Sequence, residues 1–169
     1  MADAIVLDAS AAIALLRREP AADAVRSALD TSVEILVPDQ FWLEIVNVLA
    51  RRYRCTADAV VAALRDLDEL DLTTTPLGRA SLLLALDRAV RFDLTAYDAQ
   101  YLALAEASDA RLLTLDAELA GAAGGRALPV PGVSARSPRL AEERAGYGES
   151  LDWSRLGRYL ADLRADAGA

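Results

Sequence analysis

The chain has 169 residues, is 54% hydrophobic but only 5% aromatic, and carries a net charge of −8. That allows one domain with a modest extension and a core of Ala, Leu and Val, with no apolar run long enough to span a bilayer and no case for broad polyanion binding through a basic surface. There is no histidine, no lysine (all 18 basic residues are Arg) and a single cysteine, Cys55, which excludes Ser-His-Asp and Cys-His nucleophiles, His or multi-Cys zinc sites, a P-loop and Schiff-base chemistry.

Residues 4–7 (AIVL) read as a short buried strand, and Asp8-Ala9-Ser10 opens a helix to about Leu16. Pro20 suits the first turn of a second helix, to about Leu29. Residues 34–37 (EILV) are the next predicted strand, stopped by Pro38; Asp39 is placed to cap a helix reaching about Tyr53, and Thr56 another reaching about Leu70. A short strand over 72–75 precedes helices over 77–92 and 95–108. Residues 111–115 (RLLTL) read as a buried strand, after which Asp116 caps a short helix ending in Gly121, Gly124 and Gly125. Residues 127–130 are a candidate last strand. This alternation predicts the α/β class, an α/β/α sandwich around a central, mostly parallel sheet. Ligand sites in such sheets lie beyond the carboxyl ends of the strands, where Asp8 and Asp116 both fall.

Without His or Lys, clustered carboxylates holding a hard cation are the most productive polar chemistry left. Asp8 and Asp116 each have two readings: a helix N-cap, or a strand-end ligand. Glu44 interrupts the apolar run FWLEIV, where a lone charge is costly. On a helix it shares a face with Gln40, Asn47 and Arg51, so it is either part of a polar stripe or a carboxylate aimed at a metal. Asp98 sits in a first helical turn if Thr95 is the cap, where the dipole favours an acid; the same placement projects it towards the strand-end crevice. A shared site explains the set better than separate accidents do.

The segments VLDAS, FWLEIVNVL and LTAYDAQYLALAEASDARLLTLDAEL resemble a PIN-domain nuclease, especially the VapC-type toxins of bacterial type II toxin–antitoxin systems. The resemblance covers roughly residues 4–130, and its most specific part is the YDAxYLALA helix leading to a strand and T-x-D. It implies a PIN-like nuclease domain over 1–130 and an endoribonuclease, dependent on Mg²⁺ (or Mn²⁺), that hydrolyses RNA phosphodiester bonds. It also implies a cognate antitoxin protein as partner and a homodimer. Asp8, Glu44, Asp98 and Asp116 match the family's acidic positions, with Ser10, Asn47 and Thr114 as supporting polar groups. On this reading Asp8 and Asp98 are direct metal ligands. Asp116 binds a second ion or acts through water, and Glu44 orients the attacking water. A catalytically silent PIN-like binding or scaffold module is the other reading. A phosphotransfer receiver lacks its Lys here, and a haloacid-dehalogenase-like phosphatase lacks the second Asp after the first strand.

Arg51, Arg52 and Arg54, with Tyr53 between them, form the densest basic cluster. Either they complement a helix C-terminus or they contact RNA or antitoxin; Arg17 and Arg18 invite the same two readings. Residues 131–150, rich in Pro, Gly, Ser, Arg and Glu, read as a linker. Residues 151–169 read as an amphipathic helix capped by Asp152, with Trp153, Leu156, Leu160 and Leu163 at helical spacing. It is autoinhibitory, dimerising or a packed cap. The start MADAIVLDAS lacks the pattern of a signal peptide, and a lone cysteine makes the cytoplasm the expected compartment.

Overall fold

The structure is a computed structural model, and it describes residues 4–32 and 34–136. The predicted C-terminal helix, and the linker beyond residue 136, lie outside the described residues.

Four strands, β1 (Ala4–Leu7), β2 (Glu34–Pro38), β3 (Leu72–Thr75) and β4 (Arg111–Leu113), form one parallel sheet in the order β3-β2-β1-β4. The central strand β1 is the apolar run AIVL, buried along most of its length, as a strand covered on both faces should be. The edge strand β3 is LTTT, and its exposed threonines suit an edge that faces water. Among the described residues, seven α-helices flank the sheet: α1 (Ala9–Arg17), α2 (Ala22–Asp30), α3 (Gln40–Asn47), α4 (Ala57–Asp68), α5 (Arg79–Phe92), α6 (Ala96–Ala107) and α7 (Ala117–Ala123). Among them α6 lies against β1, β2 and β4, and α1 packs on α2, α3 and α4. One core joins Val6 and Leu7 of β1, Val37 of β2 and Leu112 of β4 to Phe41 and Ile45 of α3 and to Tyr101 and Leu102 of α6. A smaller cluster of Ala85, Ala99 and Ala103 lets α5 and α6 approach closely. No helix among the described residues is long and apolar enough to cross a membrane.

The predicted α/β architecture holds, and the sheet is parallel throughout. Thr56 and Asp116 cap α4 and α7 as expected. Asp39 does not cap α3: its backbone is already helical, and its carboxylate instead accepts from the Leu77 N–H at 3.0 Å, tying the start of α3 to the loop after β3. The predicted helix to Tyr53 is α only as far as Asn47 and finishes in a π-helical turn, Val48–Arg52. Residues 127–130 make a single parallel bridge, Leu112 to Ala127, rather than a strand.

Candidate active site

The end of β1 supplies Asp8, which is 3% exposed. It caps α1, accepting from the Ser10 N–H at 3.3 Å, and the same oxygen, Oδ2, accepts from the hydroxyls of Ser10 and Thr114, the latter at 2.8 Å. These hydroxyls relay backbone donors from the end of β4. Leu115 N–H donates to Ser10 Oγ at 2.9 Å, and Asp116 N–H to Thr114 Oγ1 at 3.0 Å. Adjacent parallel strands β1 and β4 are thus stitched together through one carboxylate. Burial still dominates: it raises the Asp8 pKa despite the hydroxyl donors, and the charge of Asp98 adds to the effect.

Glu44 lies one turn into α3. Its Oε2 accepts from the Tyr101 hydroxyl of α6 at 2.8 Å. Partial burial pushes its pKa up to about 7, against the lowering effect of Tyr101 and with help from the charges of Asp8 and Asp98. Burial and the charges of Asp8 and Glu44 push the Tyr101 hydroxyl up as well, so it stays a donor. Gln40, one turn before Glu44, donates from Nε2 to the Tyr97 carbonyl at 2.7 Å, which clamps the start of α3 to the start of α6.

Asp98 is placed by its cap. Thr95 Oγ1 accepts from the Asp98 N–H at 3.1 Å and donates to Asp98 Oδ2 at 2.7 Å. Burial raises the Asp98 pKa, and so do the charges of Asp116 and Glu118. Asp116 caps α7, its Oδ1 accepting from the N–H groups of Glu118 and Leu119, both at 2.8 Å.

All four sequence-predicted acids therefore come together, linked by mutual repulsion, and Ser10 and Thr114 belong to the same network. Asn47 is exposed on α3, one turn beyond Glu44. The arginines of the 51–54 cluster are not beside the acids. They lie about two turns beyond Glu44, where Arg17 and Arg52 stack on the Tyr53 ring at 3.6 and 5.5 Å and the Tyr53 hydroxyl meets Glu19. Two residues escaped the sequence reading: Tyr101, which holds Glu44, and Glu118, which adds its charge at Asp98.

The hydrogen bonds among the described residues engage one oxygen of each carboxylate, Oδ2 of Asp8 and Asp98, Oε2 of Glu44 and Oδ1 of Asp116. No three acids of the described residues converge on a single coordination point. Mg²⁺ does not require that. It keeps several waters and is commonly held by one or two carboxylates together with substrate phosphates. An oxygen-only set whose members repel one another fits such an ion chemically.

Residues 5–125 match the family model described as PIN domain. No curated protein compared with the chain matches it. Among solved structures, PAE2754 from Pyrobaculum aerophilum is similar over 76% of this chain and 90% of its own, with 26% identity and a TM-score of 0.56. VapC20 of Mycobacterium tuberculosis, a sarcin-ricin loop cleaving toxin, aligns over 74% of this chain and 99% of its own, at 18% identity and a TM-score of 0.61. A toxin–antitoxin complex from Klebsiella pneumoniae gives 74% and 96% coverage, 18% identity and a TM-score of 0.57. The last two likenesses are of fold.

Proposed function

This chain belongs to the PIN domain family, and from that premise we propose that it is a metal-dependent endoribonuclease, the toxin of a toxin–antitoxin pair. The observation that carries the reading is the meeting of Asp8, Glu44, Asp98 and Asp116 at the carboxyl end of a parallel sheet, with burial and mutual repulsion raising the first three. The ion pairs given for the described residues engage other acids, Arg88 with Glu106, Arg126 with Asp109 and, next to Asp98, Arg136 with Glu118. The counter-charge has to come from outside this set, and Mg²⁺ or Mn²⁺ suits oxygen donors.

Asp8 and Asp98 are the ligands, and Asp116 holds a second ion or acts through water. A bound cation would offset the charge developing on the phosphate and acidify a water. Glu44 is poised as the base that orients the attacking water and accepts its proton. Its pKa of about 7 gives it both forms near neutrality, and Tyr101 fixes its orientation. Ser10 and Thr114 keep Asp8 turned towards the crevice while leaving its second oxygen outside their hydrogen bonds. The substrate is RNA, the proposed partners are an antitoxin and a second copy of the chain, and the proposed compartment is the cytoplasm. The solved toxin–antitoxin complex of the same fold supports an antitoxin.

Asp8→Asn tests the assignment, because an amide keeps the acceptor for Ser10 and Thr114 and removes the charge. The variant should fold, as judged by circular dichroism, and lose at least ~100-fold in Mn²⁺-supported cleavage of single-stranded RNA. Undiminished cleavage would refute the site. Absence of both cleavage and Mn²⁺ binding in the parent protein would favour the silent binding module.

A further inference from the structure

The two helices that carry Glu44 and Asp98 each set an exposed apolar residue directly before the acid. Leu43, on α3, is 75% exposed, and Tyr97, on α6, is 66% exposed. Both border a joint between the two helices. Gln40 Nε2 donates to the Tyr97 carbonyl, and one turn further along the Tyr101 hydroxyl donates to Glu44. Leu43 lies three residues after Gln40 and Tyr97 four before Tyr101, so each shares a helix face with a residue that spans this joint. Among the described residues the Tyr97 ring stacks on no other ring or guanidinium, and its hydroxyl has no partner.

The crevice has two unlike rims. In the sheet, β1, which leads into Asp8, lies between β2 and β4, so α3 and α7 start on opposite sides of it. The α7 rim is charged: the Arg136 guanidinium meets Glu118 at 3.3 Å. The rim of α3 and α6 offers Leu43 and the Tyr97 ring. A chain of net charge −8 has little basic surface with which to hold a polyanion. Contacts to bases then carry more of the affinity, and an exposed ring suits any of them, because every base has a π-face. A base reaches such a ring only when it is unpaired, since in a duplex its faces are covered by its stacked neighbours.

We propose that Tyr97 is a substrate-binding residue: its ring stacks an unpaired base of the RNA, with Leu43 as the apolar flank, and so directs cleavage to unpaired strands. The proposal rests on the reading of the crevice as an RNA-cleaving site. One turn of α6, about 5.4 Å, separates Tyr97 from the residue that holds Glu44, which keeps the stacked base close to the attacked phosphate.

The test measures Mn²⁺-supported cleavage of a fluorescent RNA, single-stranded or annealed to its complement, by the full chain and by Tyr97→Ala, Tyr97→Phe and Tyr97→Trp. Tyr97→Ala should raise the KM for the single strand at least ~10-fold and change kcat less than ~3-fold, as loss of one stacked base does. Phe and Trp keep a π-face, so those variants should stay within about twofold of the parent. The parent should cut the annealed RNA at least ~10-fold more slowly than the single strand. An unchanged KM in Tyr97→Ala, or equal cleavage of paired and unpaired RNA by the parent, overturns the proposal and leaves the nuclease reading standing. A shift of Tyr97→Ala to a smaller species in sedimentation also overturns it, by making the ring a contact between protein chains. A parent that neither binds nor cleaves RNA removes the nuclease reading, and the stacked base with it.

Discussion

Tyr101 governs Glu44 from inside the core. Its ring is fully buried, three residues after Asp98 and on the same face of α6, and its hydroxyl donates to Glu44. That bond favours the charged form of Glu44 and opposes the burial that raises its pKa. Tyr101→Phe keeps the ring and removes the donor. The variant should stay folded at a cost of about 1–3 kcal/mol for the stranded acceptor. Its Glu44 should titrate at higher pH than in the parent, so the midpoint of pH-dependent Mn²⁺ binding should move upward. An unchanged midpoint would make Tyr101 core filling and nothing more. Neither this role nor that of Glu118 could be read from the sequence. A Tyr among Leu and Ala on a helix looks like core, and a first-turn Glu looks like a dipole partner. Asp8 and Glu44 were legible for the opposite reason: acids set in apolar runs demand an explanation.

At the scale of elements, α7 and the strap of residues 131–136 that runs over it oppose each other at Gly121. Helix propensity alone makes Gly121→Ala stabilising by ~1 kcal/mol. The added Cβ, however, would meet the Arg136 carbonyl at 1.5 Å, and backbone cannot swing away as a flexible side chain can. Displacing the strap also loosens the bond from Arg136 N–H to Ala117. Overpacking typically costs about 1–3 kcal/mol, so a net destabilisation of ~1 kcal/mol or more is expected in urea unfolding. A gain in stability would mean that the strap is not held against α7. The sequence marked Gly121 as a helix terminator, because its packing partner lies 15 residues away. By contrast β1 and β2 were legible from continuous apolar runs, and α4, α6 and α7 from Thr56, Thr95 and Asp116, whose capping is a local matter. The π-helical turn has no such local signature. Its outcome is tertiary, bringing Tyr53 beneath Arg17.

For the molecule as a whole, the acidic crevice makes folding and cation binding interdependent. Asp8, Glu44 and Asp98 all have raised pKa values, Glu44 from 4.5 to about 7. Without a cation the folded state holds more protons than the unfolded chain between those values, so stability falls as pH rises. The contribution of Glu44 is fully present below about pH 4.5 and gone once pH passes 7. In chelator, the Tm should therefore decline from pH 5 to pH 8. Glu44→Gln should match the parent near pH 5 and exceed it at pH 8, which separates the crevice from the other acids of a chain of net charge −8. A ligand that binds only the folded state adds about 2.7 kcal/mol at a hundred times its Kd. Saturating Mn²⁺ should thus raise the parental Tm at pH 8 by several degrees, and that of Asp8→Asn hardly at all. A Tm in chelator that rises from pH 5 to 8 in the parent, and rises equally in Glu44→Gln, would show that the crevice acids are not strained against one another. The cation would then lose its thermodynamic reason to bind.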